Sequence, residues 1–320
     1  MIFGNPLIPG ELERAEEHAP LAFDCTVPGD AEWMGHLAAT GQAHTVHDDL
    51  ERQLDELVRL RAGGRVLSPG ELAAERERLL DGALPAEHGR WIFYPWSGRL
   101  VHVLGPDEFR ELRLHRNRHR ITGLEQERLA GVTVGVAGLA VGAAAAVTLA
   151  LEGGFGHLKL ADGGEVALGD LNHLAAGVHE LGLPRAVAAA RRVYEVDPYA
   201  AVSLHGALEG DGALEEFLGG AAPLDVVVDA SDDLHLKLRL RQRARAAGVP
   251  VLMETSDRGT LDVERFDLEP ERPFFHGRLG AVGPAEWAAL DDERRAALVV
   301  ALAGPEELSQ RAGASLVELR

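Results

Sequence analysis

Residues 132–142 read V-T-V-G-V-A-G-L-A-V-G, an apolar strand that enters a glycine-punctuated turn and leaves it into an alanine-rich run ending at Leu151. Two later runs end in carboxylates: L-K-L-A-D at Asp162 and D-V-V-V-D-A-S-D at Asp232. Short apolar runs alternating with helical patterns specify a parallel sheet with crossover helices. The reading places strands at Val132–Val136, His157–Ala161, Ala201–Leu204, Asp225–Val228 and Val249–Met253. Helices are expected at 139–151, Pro184–Glu195, Ala213–Leu218 and Leu234–Ala247. The fold class is α/β, a Rossmann-like and mostly parallel sheet with flanking helices. Ligands of such sheets bind beyond the carboxyl ends of the strands, where both acidic groups fall.

A small α+β module is expected ahead of this unit. Leu50, Leu54, Leu57 and Leu60 share one stripe of a helix over His47–Arg61. Ser68-Pro69-Gly70-Glu71 opens a second helix with the signature of a capping box. Trp91–Tyr94 and Leu100–Leu104 form a hairpin, and Asp107–Leu114 resumes a helical pattern. Residues 1–45 show scattered Pro and Gly and read as an irregular arm. Pro284–Leu302 reads as helical. The expected division is therefore 1–112, 113–260 and 261–320, the last a mainly helical extension.

The 320 residues carry a formal charge of −19, which disfavours nucleic acid and anionic membrane surfaces as general partners. Cys25 is the only cysteine in the sequence, so neither an intrachain disulfide nor a cysteine-rich zinc site can form. The first residues, M-I-F-G-N-P-L-I-P-G, lack a secretory pattern, and a cytoplasmic protein is expected. One basic cluster interrupts the acidity, R-L-H-R-N-R-H-R at Arg113–Arg120. It reads either as a solvated connector or as a phosphate clamp, since guanidinium forks match phosphate oxygens. The histidines match no common metal-ligand spacing. Trp91, Phe93, Tyr94 and Trp96 read as module core or a dimer contact.

The order of these features resembles the ThiF/MoeB family of adenylyltransferases, over about Arg116 to Asp257. The family pattern runs R-Y-x-R-Q-I, a glycine-rich turn, an acidic strand end, S-N-L-N-R, G-x-x-K and D-C-T-D-N. Here the matching segments are R-N-R-H-R-I-T, the turn from Gly135 to Ala140, Asp162, G-D-L-N-H, G-L-P-R and D-A-S-D. The N-terminal module and M-E-T-S-D-R-G-T-L-D-V-E-R-F-D are similar to an actinobacterial branch, in which this domain is commonly fused to a nitroreductase-like one.

The resemblance implies roles. Gly135 and Gly138 would form the nucleotide turn, Asp162 would hold ribose hydroxyls, and Asn172 and His173 would lie in the nucleotide-fixing loop. Arg185 would bind phosphate and Asp232 would hold Mg2+ on ATP. Arg116 or Arg118, or both, would reach a phosphate, in the family often that of the other subunit of a dimer. The implied activity is ATP-dependent activation of a carboxylate as an acyl-adenylate by a homodimer. Its substrate would be a carrier protein, a peptide or a small acid. No cysteine follows Asp232, so no enzyme thioester is expected.

The departures define the rival. Ala137 and Ala140 stand where the family has glycine, Gly164 replaces an acid, Asp170 and Asp233 replace Asn, and His173 replaces Arg. Charge-assisted contacts contribute roughly 1.5–3 kcal/mol each, so such losses would weaken ATP binding by several kcal/mol. A non-catalytic binding or scaffolding domain is the alternative. A dinucleotide-dependent oxidoreductase fits the turn and Asp162 but leaves Asp232 and the basic cluster unexplained.

Overall fold

The computed structural model describes residues 17–254 and 261–303. They divide into two compact units, 17–127 with Val193–Tyr199, and 128–192 with 200–303.

The first unit is built on a four-stranded sheet in the order β1-β3-β4-β2. Its strands are β1 Leu21–Phe23, β2 Thr45–Asp48, β3 Arg90–Tyr94 and β4 Arg99–Val103. The β3–β4 hairpin is antiparallel, with Ile92 opposite Val101, and β2 runs parallel to β4. Its helices are α1 Pro28–Ala39, α2 Leu50–Arg61, α3 Pro69–Leu80, α4 Pro106–Leu114 and α5 Gly123–Leu129, the last two residues of α5 grouping with the second unit. The leucine stripe of α2 is the reason it packs: Leu50, Leu54 and Leu57 are buried with Leu80 and Leu104. Ser68 and Glu71 close a reciprocal capping box, Glu71 N donating to Ser68 Oγ at 3.3 Å and Ser68 N to Glu71 Oε2 at 2.9 Å.

Two expectations are corrected here. The stretch up to residue 45 is not an irregular arm where it is described. Phe23 of β1 and Leu37 of α1 join a cluster with Phe93 and Leu100. Pro28 at the start of α1 supplies the helical entry that weak periodicity concealed. The helix expected from His47 begins at Leu50, because Thr45–Asp48 is taken by the sheet.

The second unit carries a six-stranded sheet in the order β10-β9-β8-β5-β6-β7. Its strands are β5 Thr133–Ala137, β6 His157–Ala161, β7 Ala201–His205, β8 Val226–Asp229, β9 Val251–Glu254 and β10 Leu261–Glu264. All pairs are parallel except β9–β10. The helices are α6 Gly142–Glu152, α7 Arg185–Val196, α8 Gly210–Leu218, α9 Leu234–Ala247, α10 Pro284–Ala288 and α11 Asp292–Ala303. Residues 193–196 of α7 group with the first unit. The expected helix over Pro284–Leu302 is thus two helices. Residues 261–303 do not form a separate extension: β10 adds to the sheet, and Phe275, Leu279 and Trp287 pack on Leu234, Leu238 and Met253.

The chain runs from β5 outward to β6 and β7, then returns to the other side of β5 with β8 and β9. The order therefore reverses between β5 and β8, and a crevice opens beyond their carboxyl ends. Among the described residues no helix is long and apolar enough to cross a membrane.

Candidate nucleotide-binding cleft

Gly138 follows β5 with φ +86°, a left-handed conformation suited to glycine. A Cβ there would sit 2.6 Å from Ala230 O and Ser231 N. Only a bare backbone lets the turns after β5 and β8 approach so closely. Gly138 N donates to Ala161 O at 2.9 Å, and Leu139 N donates to Asp162 Oδ2 at 2.7 Å. These bonds hold residues 139–141 as a turn, so α6 starts at Gly142, three residues later than expected.

A cleft of about 320 Å3 opens beyond this turn. Gly138, Asp162, Arg185 and Asp232 all line it, so side chains distant in sequence share one space. Asp162 Oδ1 also accepts from Gly164 N at 2.7 Å and lies 3.5 Å from Arg185 Nη1. Arg185 Nε donates to Asp170 Oδ2 at 3.0 Å. A Cβ on Gly164 would come within 2.5 Å of Arg185 Nη1, so the glycine leaves room for the guanidinium. Asp232 is exposed at the start of the β8–α9 turn. The ionisable lining consists of Asp162, Glu209, Asp232 and Asp233 against Arg185 and Arg239. The excess of carboxylates means a polyanion would enter best with a cation.

The other sequence-derived candidates lie elsewhere. Gly135 is inside β5, where a Cβ would come within 2.4 Å of Leu224 Cδ1 and 2.9 Å of Phe217 Cζ. Its lack of a side chain serves helix–sheet packing rather than the cleft. Asn172 and His173 are exposed at the end of the short helical turn Leu168–Asn172, with His173 Nδ1 paired to Asn172 Oδ1, and neither lines the cleft. Arg116 and Arg118 are exposed on the turn His115–His119 of the first unit. Arg113 of the same basic cluster pairs with Asp197 at 2.7 Å, a structural use of one member.

Several contacts escaped sequence reasoning. Asp170 is held by Ala167 N at 3.0 Å and by Arg185. The Ala167 N–H first, then the Arg185 guanidinium, keep its carboxyl below the usual range. Beneath the β8 turn, Asp229 and Glu264 flank Arg241, all three with 0% exposure. Lys237 Nζ donates to Asp229 Oδ1 at 3.2 Å, and the Arg241 guanidinium lies 3.8 Å from the Phe275 ring centre. Glu264 Oε1 accepts from Phe275 N at 2.7 Å. Burial holds the Glu264 carboxyl above its usual range, and Arg241 offsets only part of that rise. The network ties α9, β8 and β10 together directly below Ala230–Asp232. Its signal in α9 was no more than Lys237 and Arg241 among the five Lys and Arg residues of a leucine-rich helix.

Residues 114–277 match the ThiF family. Over 239 residues the chain is 46% identical to the uncharacterized protein MT1398 of Mycobacterium tuberculosis (strain CDC 1551 / Oshkosh), covering 75% of this chain and 33% of that protein. The chain thus spans about a third of the length of that curated relative. Among solved structures it is similar to the E. coli tRNA N6-threonylcarbamoyladenosine dehydratase TcdA in complex with ATP. That match has 23% identity and a TM-score of 0.44, covering 49% of this chain and 63% of the other. It is also similar to E. coli MccB with MccA-N7isoASN, at 15% identity and a TM-score of 0.43, covering 67% and 62%. With its glycine turn, acidic strand end and β8 aspartates gathered on one α/β cleft, the chain belongs to the ThiF family.

Proposed function

We propose that the cleft binds ATP with Mg2+ and transfers the adenylyl group to a carboxylate. The convergence of Asp162, Arg185 and Asp232 on one cleft carries this reading. The volume of about 320 Å3 is at the lower end of the range for small-molecule sites. Asp162 accepts hydrogen bonds from ribose hydroxyls. Arg185 would donate to phosphate oxygens, and Asp232 would hold Mg2+. When bound, Mg2+ offsets the charge of the triphosphate and of the departing pyrophosphate.

In the reaction a carboxylate oxygen attacks the α-phosphorus. The bond to the bridging oxygen of the β-phosphate breaks, and pyrophosphate leaves with that electron pair. The product is an acyl-adenylate. This chain's work is positioning and charge stabilisation. Cys25, the only cysteine of the sequence, is not among the residues lining the cleft, so the acyl group passes to an external nucleophile. The protein acts as a cytoplasmic homodimer on a carrier protein, a peptide or a small acid, with Arg116 or Arg118 reaching a phosphate.

A second reading, a retained fold with lost chemistry, is favoured by two observations. Asn172 and His173 pair with each other at the surface, and the Leu139 N–H is already bound to Asp162. ATP–pyrophosphate exchange in the presence of peptide and small carboxylates separates the two. Exchange that falls by about 100-fold or more in Asp232→Ala supports adenylation. Binding of Mg2+-ATP with no exchange in any mixture supports the second reading.

A further inference from the structure

We infer that Asp170 sets the strength of nucleotide binding by holding Arg185 in position while cancelling part of its charge. The inference rests on the reading of Arg185 as a phosphate ligand. Three observations carry it. Asp170 Oδ2 accepts from Arg185 Nε at 3.0 Å, so it touches the edge of the guanidinium nearest the side-chain stem. Asp162 Oδ1 lies 3.5 Å from Nη1, which leaves Nη2 with no acceptor among the described residues. Arg185 lines the cleft and Asp170 does not, so Asp170 acts from behind the cation rather than by filling the cleft.

Geometry and charge separate cleanly at this position. Asp170 is fixed by its own turn, since Ala167 N also donates to Oδ2 at 3.0 Å. An asparagine amide oxygen can accept both bonds from the same place. Asp170→Asn therefore keeps the orientation of Arg185 and removes one negative charge beside it. A guanidinium shared by two carboxylates presents little net charge to a third anion. The consequence is a cleft that holds inorganic pyrophosphate weakly and relies on the cation that accompanies ATP. Asp170→Ala removes both the charge and the support.

Calorimetric titration of the full chain with ATP and Mg2+, and separately with inorganic pyrophosphate and Mg2+, tests this. Asp170→Asn is expected to tighten both ligands about fivefold, the size of one removed charge at partial exposure. Asp170→Ala is expected to bind more weakly than Asp170→Asn. In an Arg185→Met background the effect of Asp170→Asn is expected to vanish, a coupling that a merely structural role would not produce. If the starting protein binds ATP and Asp170→Asn binds it no more tightly, the inference is overturned while the ATP reading stands. If neither protein binds ATP at about 1 mM, a level corresponding to about −4 kcal/mol, both fail.

Discussion

Arg241 is the residue whose environment most departs from its sequence context. Leu234–Ala247 alternates leucine with arginine and lysine, a pattern that alone suggests a strand, while its length and its place between two apolar runs favour a helix; nothing in it marks one arginine as buried. The folded chain instead buries Arg241 completely between Asp229 and Glu264. Arg241→Met would leave two buried carboxylates facing each other. Urea denaturation is expected to show a loss of about 3–5 kcal/mol, the usual cost of breaking a buried pair from one side. A loss below about 1 kcal/mol would mean that the network is solvated. Gly138→Ala is the complementary case. Its φ of +86° and the contact at 2.6 Å to Ala230 O predict a loss of about 1–3 kcal/mol together with weaker ATP binding. Of the cleft lining, Gly138, Asp162 and Asp232 were legible at strand ends, and Arg185 through the resemblance of G-L-P-R to the family pattern. The clamp of Asp170 on Arg185 was not, since it closes across a loop with no periodic pattern.

Elements explain where the remaining polar groups go. Lys159, on the buried β6, donates to the carbonyls of Glu216, Phe217 and Gly219 at 3.3, 3.0 and 2.8 Å. It thus closes the C-terminal end of α8, where carbonyls have no helical partner. Burial lowers its pKa, which offsets part of the gain. Lys159→Met is expected to destabilise the protein by about 1–3 kcal/mol in urea. His157 on β6 and His205 on β7 share this surrounding. Burial first, and Lys159 second, lower both pKa values below the ordinary 6.5. The unfolded chain therefore takes up protons on these groups before the folded one does. The stability they leave intact above pH 6.5 is lost as pH falls through that value toward their lowered pKa values. The urea midpoint is expected to drop between about pH 7.5 and pH 5.5, and to drop less in His157→Gln with His205→Gln. An unchanged pH slope in the double variant would contradict this. The five parallel strands of the second unit were legible because strands buried between helices form apolar runs, whereas the antiparallel edge strand β10 was missed. Thr45–Asp48 was misread because its short edge run merges into the helix beginning at Leu50.

At the scale of the whole molecule, a formal charge of −19 opposes the approach of a nucleotide that the cleft is proposed to hold. Stopped-flow association of a fluorescent ATP analogue is expected to speed up several-fold between about 20 and about 200 mM KCl, as repulsion is screened. Slowing with salt would point to a dominant basic path into the cleft. The reversal of strand order between β5 and β8 was only implicit in the sequence, because strand neighbours are not written in chain order. It is this reversal that brings the Gly138 turn against Ala230 and opens the space lined by Asp162, Arg185 and Asp232. Isothermal titration of the full chain with Mg2+-ATP tests that constellation most directly. Saturable binding at one site per chain is expected, lost in Asp162→Ala and in Asp232→Ala, the exposed Asp232 variant keeping its urea midpoint. Absence of any binding up to about 1 mM ATP, or affinity unchanged in both variants, would contradict it.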